Sequence, residues 1–89
     1  MAGAKAKPDD IRAAVRGLIL DGFLPGTDPG ELSDTTPLIS GGILDSLGTV
    51  KVVAALEERY GIEIQAHEAS LTHFNSVADI VKLVVAKLG

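Results

Sequence analysis

The sequence predicts an all-α fold: a small four-helix bundle of three main helices and a short third one, with a long ordered loop between helices one and two. Three observations point there. Stretches beginning near Pro8, near Ser46 and at Val77 repeat apolar residues at helical spacing. The segment between the first two is built of turn sequences, namely Pro25-Gly26, Asp28-Pro29-Gly30, Thr36-Pro37 and Gly41-Gly42. Only Ile62-Glu63-Ile64 alternates as a strand does, and no second run is available to pair with it.

Met1 to Lys7 is small and polar and is expected to be a disordered lead-in, with the folded domain running from 8 to 89. Pro8-Asp9-Asp10 supplies a first-turn proline and two carboxylates suited to the positive end of a helix. Helix one is expected from about Pro8 to Asp21. It carries Ile11, Val15, Leu18 and Ile19 inward and Arg12 and Arg16 on the wet side, with Gly22 as its stop and Phe23 folding back on the last turn. A connection as long as Leu24 to Leu44 is unusual in a compact domain and is often functional. Leu32, Leu38, Ile39, Ile43 and Leu44 are expected to pin it across the core. Helix two is expected from Ser46 to Tyr60, burying Leu47, Val50, Val53, Ala54 and Tyr60, broadened by Val52 and Leu56, and wetting Lys51, Glu57, Glu58 and Arg59. Gly61 ends it, and Ile62 to Ile64 is expected as an extended link with inward isoleucines. A short helix or single turn is expected around His67 to Thr72. Asn75 and Ser76 then offer caps for a last helix in which Val77, Ile80, Val81, Val84 and Leu88 repeat at helical spacing.

Composition narrows the function. At 89 residues the chain is one domain with a modest core, and 46% hydrophobic against 22% charged residues argues for a packed globule. Three aromatics, Phe23, Tyr60 and Phe74, leave a mainly aliphatic interior. A formal net charge of −4 disfavours nucleic acid and anionic membrane surfaces, as does the shortage of stacking rings, and favours basic partners. No cysteine is present, so the fold needs neither disulfides nor thiolate metal sites. No apolar run reaches membrane-spanning length and the N-terminus lacks a hydrophobic leader, so a soluble cytoplasmic protein is expected, and a monomer is expected besides.

The chemistry-bearing stretch is Gly41-Gly42-Ile43-Leu44-Asp45-Ser46-Leu47-Gly48-Thr49, where a glycine-bearing loop gives way to helix two. A hydroxyl at a helix start is well sited to carry a phosphate, because free backbone N–H groups and the positive end of the macrodipole both favour an anion. The plainer reading is that Asp45 caps the helix and Ser46 merely occupies its first turn. Ser46, Asp45, His67 and His73 are also the ingredients of a nucleophilic site, but such a site needs a base held by a third group and shielded from water. The histidine spacing fits no usual metal ligand set. Gly48 weakens a helix by about 1 kcal/mol relative to Ala, a cost consistent with close approach of an attached group or partner.

In order and spacing, Gly42-Ile43-Leu44-Asp45-Ser46-Leu47, Thr49-Val50, Ala55-Leu56-Glu57-Glu58, Gly61-Ile62-Glu63-Ile64 and the closing helix after Phe74 resemble the acyl carrier protein family and its aminoacyl and peptidyl carrier relatives. The resemblance implies that Ser46 is esterified with 4'-phosphopantetheine, taken from coenzyme A by a separate magnesium-dependent phosphopantetheinyl transferase. It implies a non-enzymatic carrier whose arm ends in a thiol that holds an acyl or aminoacyl group as a thioester. The cargo would pass between loading ligases or synthases in fatty-acid-like, polyketide or nonribosomal-peptide-type biosynthesis. Asp45 and Leu47 would flank the attachment point, and Ile43, Leu47, Val50, Lys51, Glu57 and Glu58 would meet partners. Gly48, Lys51 and Arg59 break the dense acidic pattern of housekeeping fatty-acid carriers, which points to a specialised stand-alone carrier. D-alanyl carriers share the Gly42 to Val50 pattern, although the tryptophan associated with them is missing. The competing expectation is a helical interaction module with no prosthetic group.

Overall fold

The computed structural model describes residues 7–88, so the expectation for Met1 to Lys7 lies outside the described residues for all but Lys7. Four α-helices are found among them: α1 Pro8–Phe23, α2 Ser46–Tyr60, α3 Leu71–Phe74 and α4 Val77–Leu88, with 3-10 turns at Pro29–Glu31 and Ala66–Glu68. The expected all-α bundle is present, and no strand occurs in the described residues.

The core is aliphatic around one ring. Ile11, Val15 and Ile19 of α1, Val77, Ile80, Leu83 and Val84 of α4, and Val52 and Leu56 of α2 close around Phe74, with α1 lying most extensively against α4. Each such side chain contributes about 1.5–3 kcal/mol by leaving water. Leu32, Leu38 and Leu44 are buried from the long loop, and Ile39 and Ile43 are half-buried against the same core, so the loop is pinned as expected.

Three local expectations need correction. Helix α1 does not stop at Gly22. It continues through Phe23 to a cap at Leu24, whose N–H donates to Leu20 O at 3.2 Å. The two added residues keep Phe23 on the helix, with its ring against Gly48 of α2 instead of back along α1. Arg16 is not simply solvated: its Nη1 donates to the Leu32 carbonyl and its Nη2 to the Pro29 carbonyl at 2.7 Å, clamping the loop to α1. Arg12 does the same from a wetter position, with Nε 2.6 Å from Asp34. On α2 the buried stripe is Gly48, Thr49, Val52 and Leu56; Leu47, Val50 and Ala54 face water.

The remaining boundaries follow their signals. Gly61 caps α2 in the left-handed region with φ of 65°, its N–H donating to Glu57 O. Ile62 to Ile64 is neither helix nor strand; Ile64 is buried and Ile62 half-buried. The expected short helix is split into the 3-10 turn at Ala66–Glu68 and α3. Ser76 alone supplies the side-chain cap of α4, accepting from Asp79 N–H at 3.1 Å, while the Asn75 side chain faces the long loop.

Candidate functional site

The site grows out of the turn that ends the long loop. Leu38 O accepts from the Ile43 N–H at 2.8 Å and the Leu44 N–H at 2.9 Å, and Ile39 O accepts from the Gly42 N–H. This tight fold requires glycine twice. A Cβ at Gly41 would lie 2.2 Å from the Pro37 carbonyl oxygen, and Gly42 has a φ of 83°. Buried Leu44 anchors the exit, and the next residue, Asp45, is extended as an N-cap must be.

Asp45 caps α2 as expected. Its Oδ1 accepts from the Gly48 N–H at 2.7 Å, and its carbonyl accepts from both the N–H and the hydroxyl of Thr49 at 2.9 Å. The second bond satisfies the one buried hydroxyl on the inner face of the helix. Ser46 is therefore the first residue of a 15-residue helix, exposed, with a capped turn beneath it. Gly48 has a packing role: a Cβ there would stand 2.7 Å from the Phe23 ring and 3.1 Å from Asp45 Oδ1. Its close neighbours are thus α1 and the cap, not the space in front of Ser46 where an attached group would sit.

In front of Ser46 lies an open cavity of about 660 Å³, walled by Asp45, Ser46, Thr49 and Val50 on one side and Ala69 and Leu71 on the other. Its lining includes wet apolar side chains, with Val50 60% exposed and Leu71 57%, and Leu47, next to Ser46 in the chain, is 63% exposed. Leu71 was not anticipated from the sequence, because a single leucine in a four-residue helix has no periodicity to mark it. Neither histidine lines the cavity. His67 is exposed on its 3-10 turn, and half-buried His73 shares a separate groove with Asp79 and Lys82. The ingredients of a nucleophilic triad are therefore not assembled, and no cluster able to hold a metal ion occurs among the described residues.

The other residues expected to meet partners differ in exposure. Lys51 and Glu58 are exposed on α2, and Ile43 is half-buried against the core. Glu57 is half-buried with Oε2 accepting from the Ile64 N–H at 2.9 Å, which holds the link leaving α2. The far wall of the cavity is held by Glu68, whose Oε1 lies 2.6 Å from Lys87 Nζ and accepts from the Gln65 N–H. The Lys87 hydrogen bond, then the Gln65 N–H, hold the Glu68 carboxyl below its ordinary pKa.

An exposed hydroxyl at a long helix's start, facing an open cavity, fits a covalently attached phosphodiester arm. Comparison with known proteins agrees. The family described as "Phosphopantetheine attachment site" matches residues 24–84. The chain is 34% identical over 86 residues to the mitochondrial acyl carrier protein of Neurospora crassa, covering 97% of this chain and 62% of that protein's length. It is 33% identical over 78 residues to D-alanyl carrier protein 2 of Lactiplantibacillus plantarum, covering 88% of this chain and 94% of that one. Among solved structures, a chain of one titled "Crystal structure of FAD-dependent dehydrogenase" superposes with a TM-score of 0.67 at 34% identity, covering 79% of this chain and 96% of that chain.

Proposed function

This chain belongs to the phosphopantetheine-attachment family of carrier proteins, and from that premise we propose that Ser46 is its attachment residue. As a member it carries a covalent 4'-phosphopantetheine and shuttles acyl groups as thioesters. The group supplies a terminal thiol; this chain supplies the handle. The observation that carries the assignment is the exposed Ser46 hydroxyl on the first turn of α2, beside an open cavity. A phosphodiester there gains some tenths to about 1 kcal/mol from the helix N-terminus. Asp45 rigidifies the turn beneath it, so the serine is offered to a phosphopantetheinyl transferase in one arrangement.

The partner surface in this reading is Leu47, Val50 and Leu71, with Ile43 beneath and Lys51 and Glu58 at its edge; Glu57 supports it from within. Exposed apolar side chains grouped around one hydroxyl are what a docking enzyme can bury. Lys51 in that patch favours partners that place an acidic or neutral residue opposite it, which suits a dedicated carrier for a specialised acyl or aminoacyl unit working in the cytoplasm. The loading ligase or synthase performs the chemistry, and the carrier itself catalyses none. The likeness to a chain from a structure titled for an FAD-dependent dehydrogenase supports adding an enzyme of that kind to the partners.

Incubation with coenzyme A, magnesium and a broad-specificity transferase tests the assignment by intact mass. Wild type gains one phosphopantetheine and Ser46→Ala gains none. An unmodified wild type would return the chain to the interaction-module reading, and a modified Ser46→Ala would move the attachment point elsewhere.

A further inference from the structure

The turn that delivers Ser46 is held from outside by a residue 35 positions beyond Ser40 in the chain. Asn75 lies between α3 and α4, and its Oδ1 accepts from the Ile39 N–H and the Ser40 N–H, both at 2.9 Å. Ser40 Oγ sits 3.3 Å from the same oxygen and 3.2 Å from Asn75 Nδ2, and the Asn75 carbonyl accepts from the Leu38 N–H at 2.8 Å. Two backbone donors converging on one side-chain atom require it to be the oxygen, since an amide NH₂ there would offer them no acceptor.

Leu38 to Ser40, the residues so held, form the first half of the turn whose second half runs through Gly41 and Gly42 into Leu44, Asp45 and Ser46. The two glycines bring no side chains of their own to fix its shape, and glycine has the largest choice of backbone conformations. The turn's own bonds tie its second half back to Leu38 and Ile39, and Asn75 holds that first half in turn, bonded to three successive residues of it.

We propose that Asn75 is a positioning residue for the modification of Ser46: by gripping Leu38 to Ser40 it keeps the glycine turn, and with it the serine, in the arrangement that a transferase binds. This rests on the reading of Ser46 as the attachment residue. Without the Asn75 oxygen, the Ile39 and Ser40 N–H groups turn to water and the loop samples other arrangements. The transferase then meets a competent fraction below one, so its apparent affinity falls by that fraction, whereas the bound complex reacts as before.

Initial rates of phosphopantetheine transfer from coenzyme A, measured against carrier concentration, test this in the full chain. Asn75→Ala raises the transferase's KM for the carrier about tenfold and leaves kcat within about twofold. Asn75→Asp, which keeps the acceptor, restores KM to within about twofold of wild type. Ser76→Ala removes the neighbouring helix cap without touching the turn, so it lowers the thermal midpoint but not the affinity. Hydrogen exchange at the Ile39 and Ser40 amides speeds up in Asn75→Ala and returns to the wild-type rate in Asn75→Asp. Should Asn75→Ala fail to fold, Asn75→Ser, too short to reach the turn, takes its place with the same expected rise in KM. An unchanged KM with wild type modified on Ser46 overturns this proposal alone, as does an equal rise in Ser76→Ala. A wild type that takes no group on Ser46 overturns the attachment assignment and this proposal together.

Discussion

Helix α2 carries two stripes with the same helical spacing and opposite surroundings. Thr49, Val52 and Leu56 recur at three and four residues and face the core, while Leu47, Val50 and Ala54 recur at the same interval and face water. The inner stripe is the less apolar at its first position, yet it is the one that is buried. Two contacts explain this. The Thr49 hydroxyl is satisfied by the Asp45 carbonyl, so its burial leaves no polar group unpaired. Gly48 leaves room for the Phe23 ring, so α1 can close on that side of the helix and not the other. The outer stripe is therefore apolar without being needed for the core, which leaves it open to contact from outside.

The largest effect expected on this contrast comes from the inner stripe. Leu56→Ala removes a fully buried side chain and lowers stability by about 3 kcal/mol in urea unfolding. The transferase's KM for the folded fraction stays that of wild type. On the outer stripe the double change Leu47→Ala with Val50→Ala leaves stability within about 0.5 kcal/mol, because both side chains are already wet. The same change lowers transferase kcat/KM about tenfold, as the loss of central apolar contacts does in other interfaces. A stability loss as large as that of Leu56→Ala would show that the two stripes are not distinct.

The smallest effect concerns the wall opposite α2. Glu68 is held below its ordinary value of 4.5 by Lys87, so its contribution to stability is complete above that unfolded-chain value and is lost as the pH falls through the lower native one. The urea midpoint of wild type should therefore exceed that of Lys87→Ala by a constant margin at neutral pH, and the margin should close on acidification below 4.5. High salt should also narrow it, because the pair is partly wet. A margin independent of pH would mean that Lys87 acts through its methylene stem and not through the carboxylate.

Much of this molecule is legible in the chain because its signals are local. Proline and acids open α1, Asp45 caps α2, Gly61 closes it in the left-handed region, and Ser46 falls at the helix start expected for it. These depend on neighbours within one turn, where sequence distance and spatial distance agree. Gly22 is the instructive miss among local signals. A helix-stopping residue was overridden because running on through Phe23 places a ring against α2.

Periodicity, capping chemistry and turn residues were enough to determine the three main helices, the pinned loop and the place of Ser46 at a helix start, since each depends mostly on contacts close along the chain. Which stripe of α2 is wet, that Leu71 closes the rim of the cavity, and that Asn75 grips a turn some 35 residues earlier were decided only by tertiary structure. Equal helical spacings carry no direction, and a hydrogen bond between distant segments leaves no mark on either until the core brings them together.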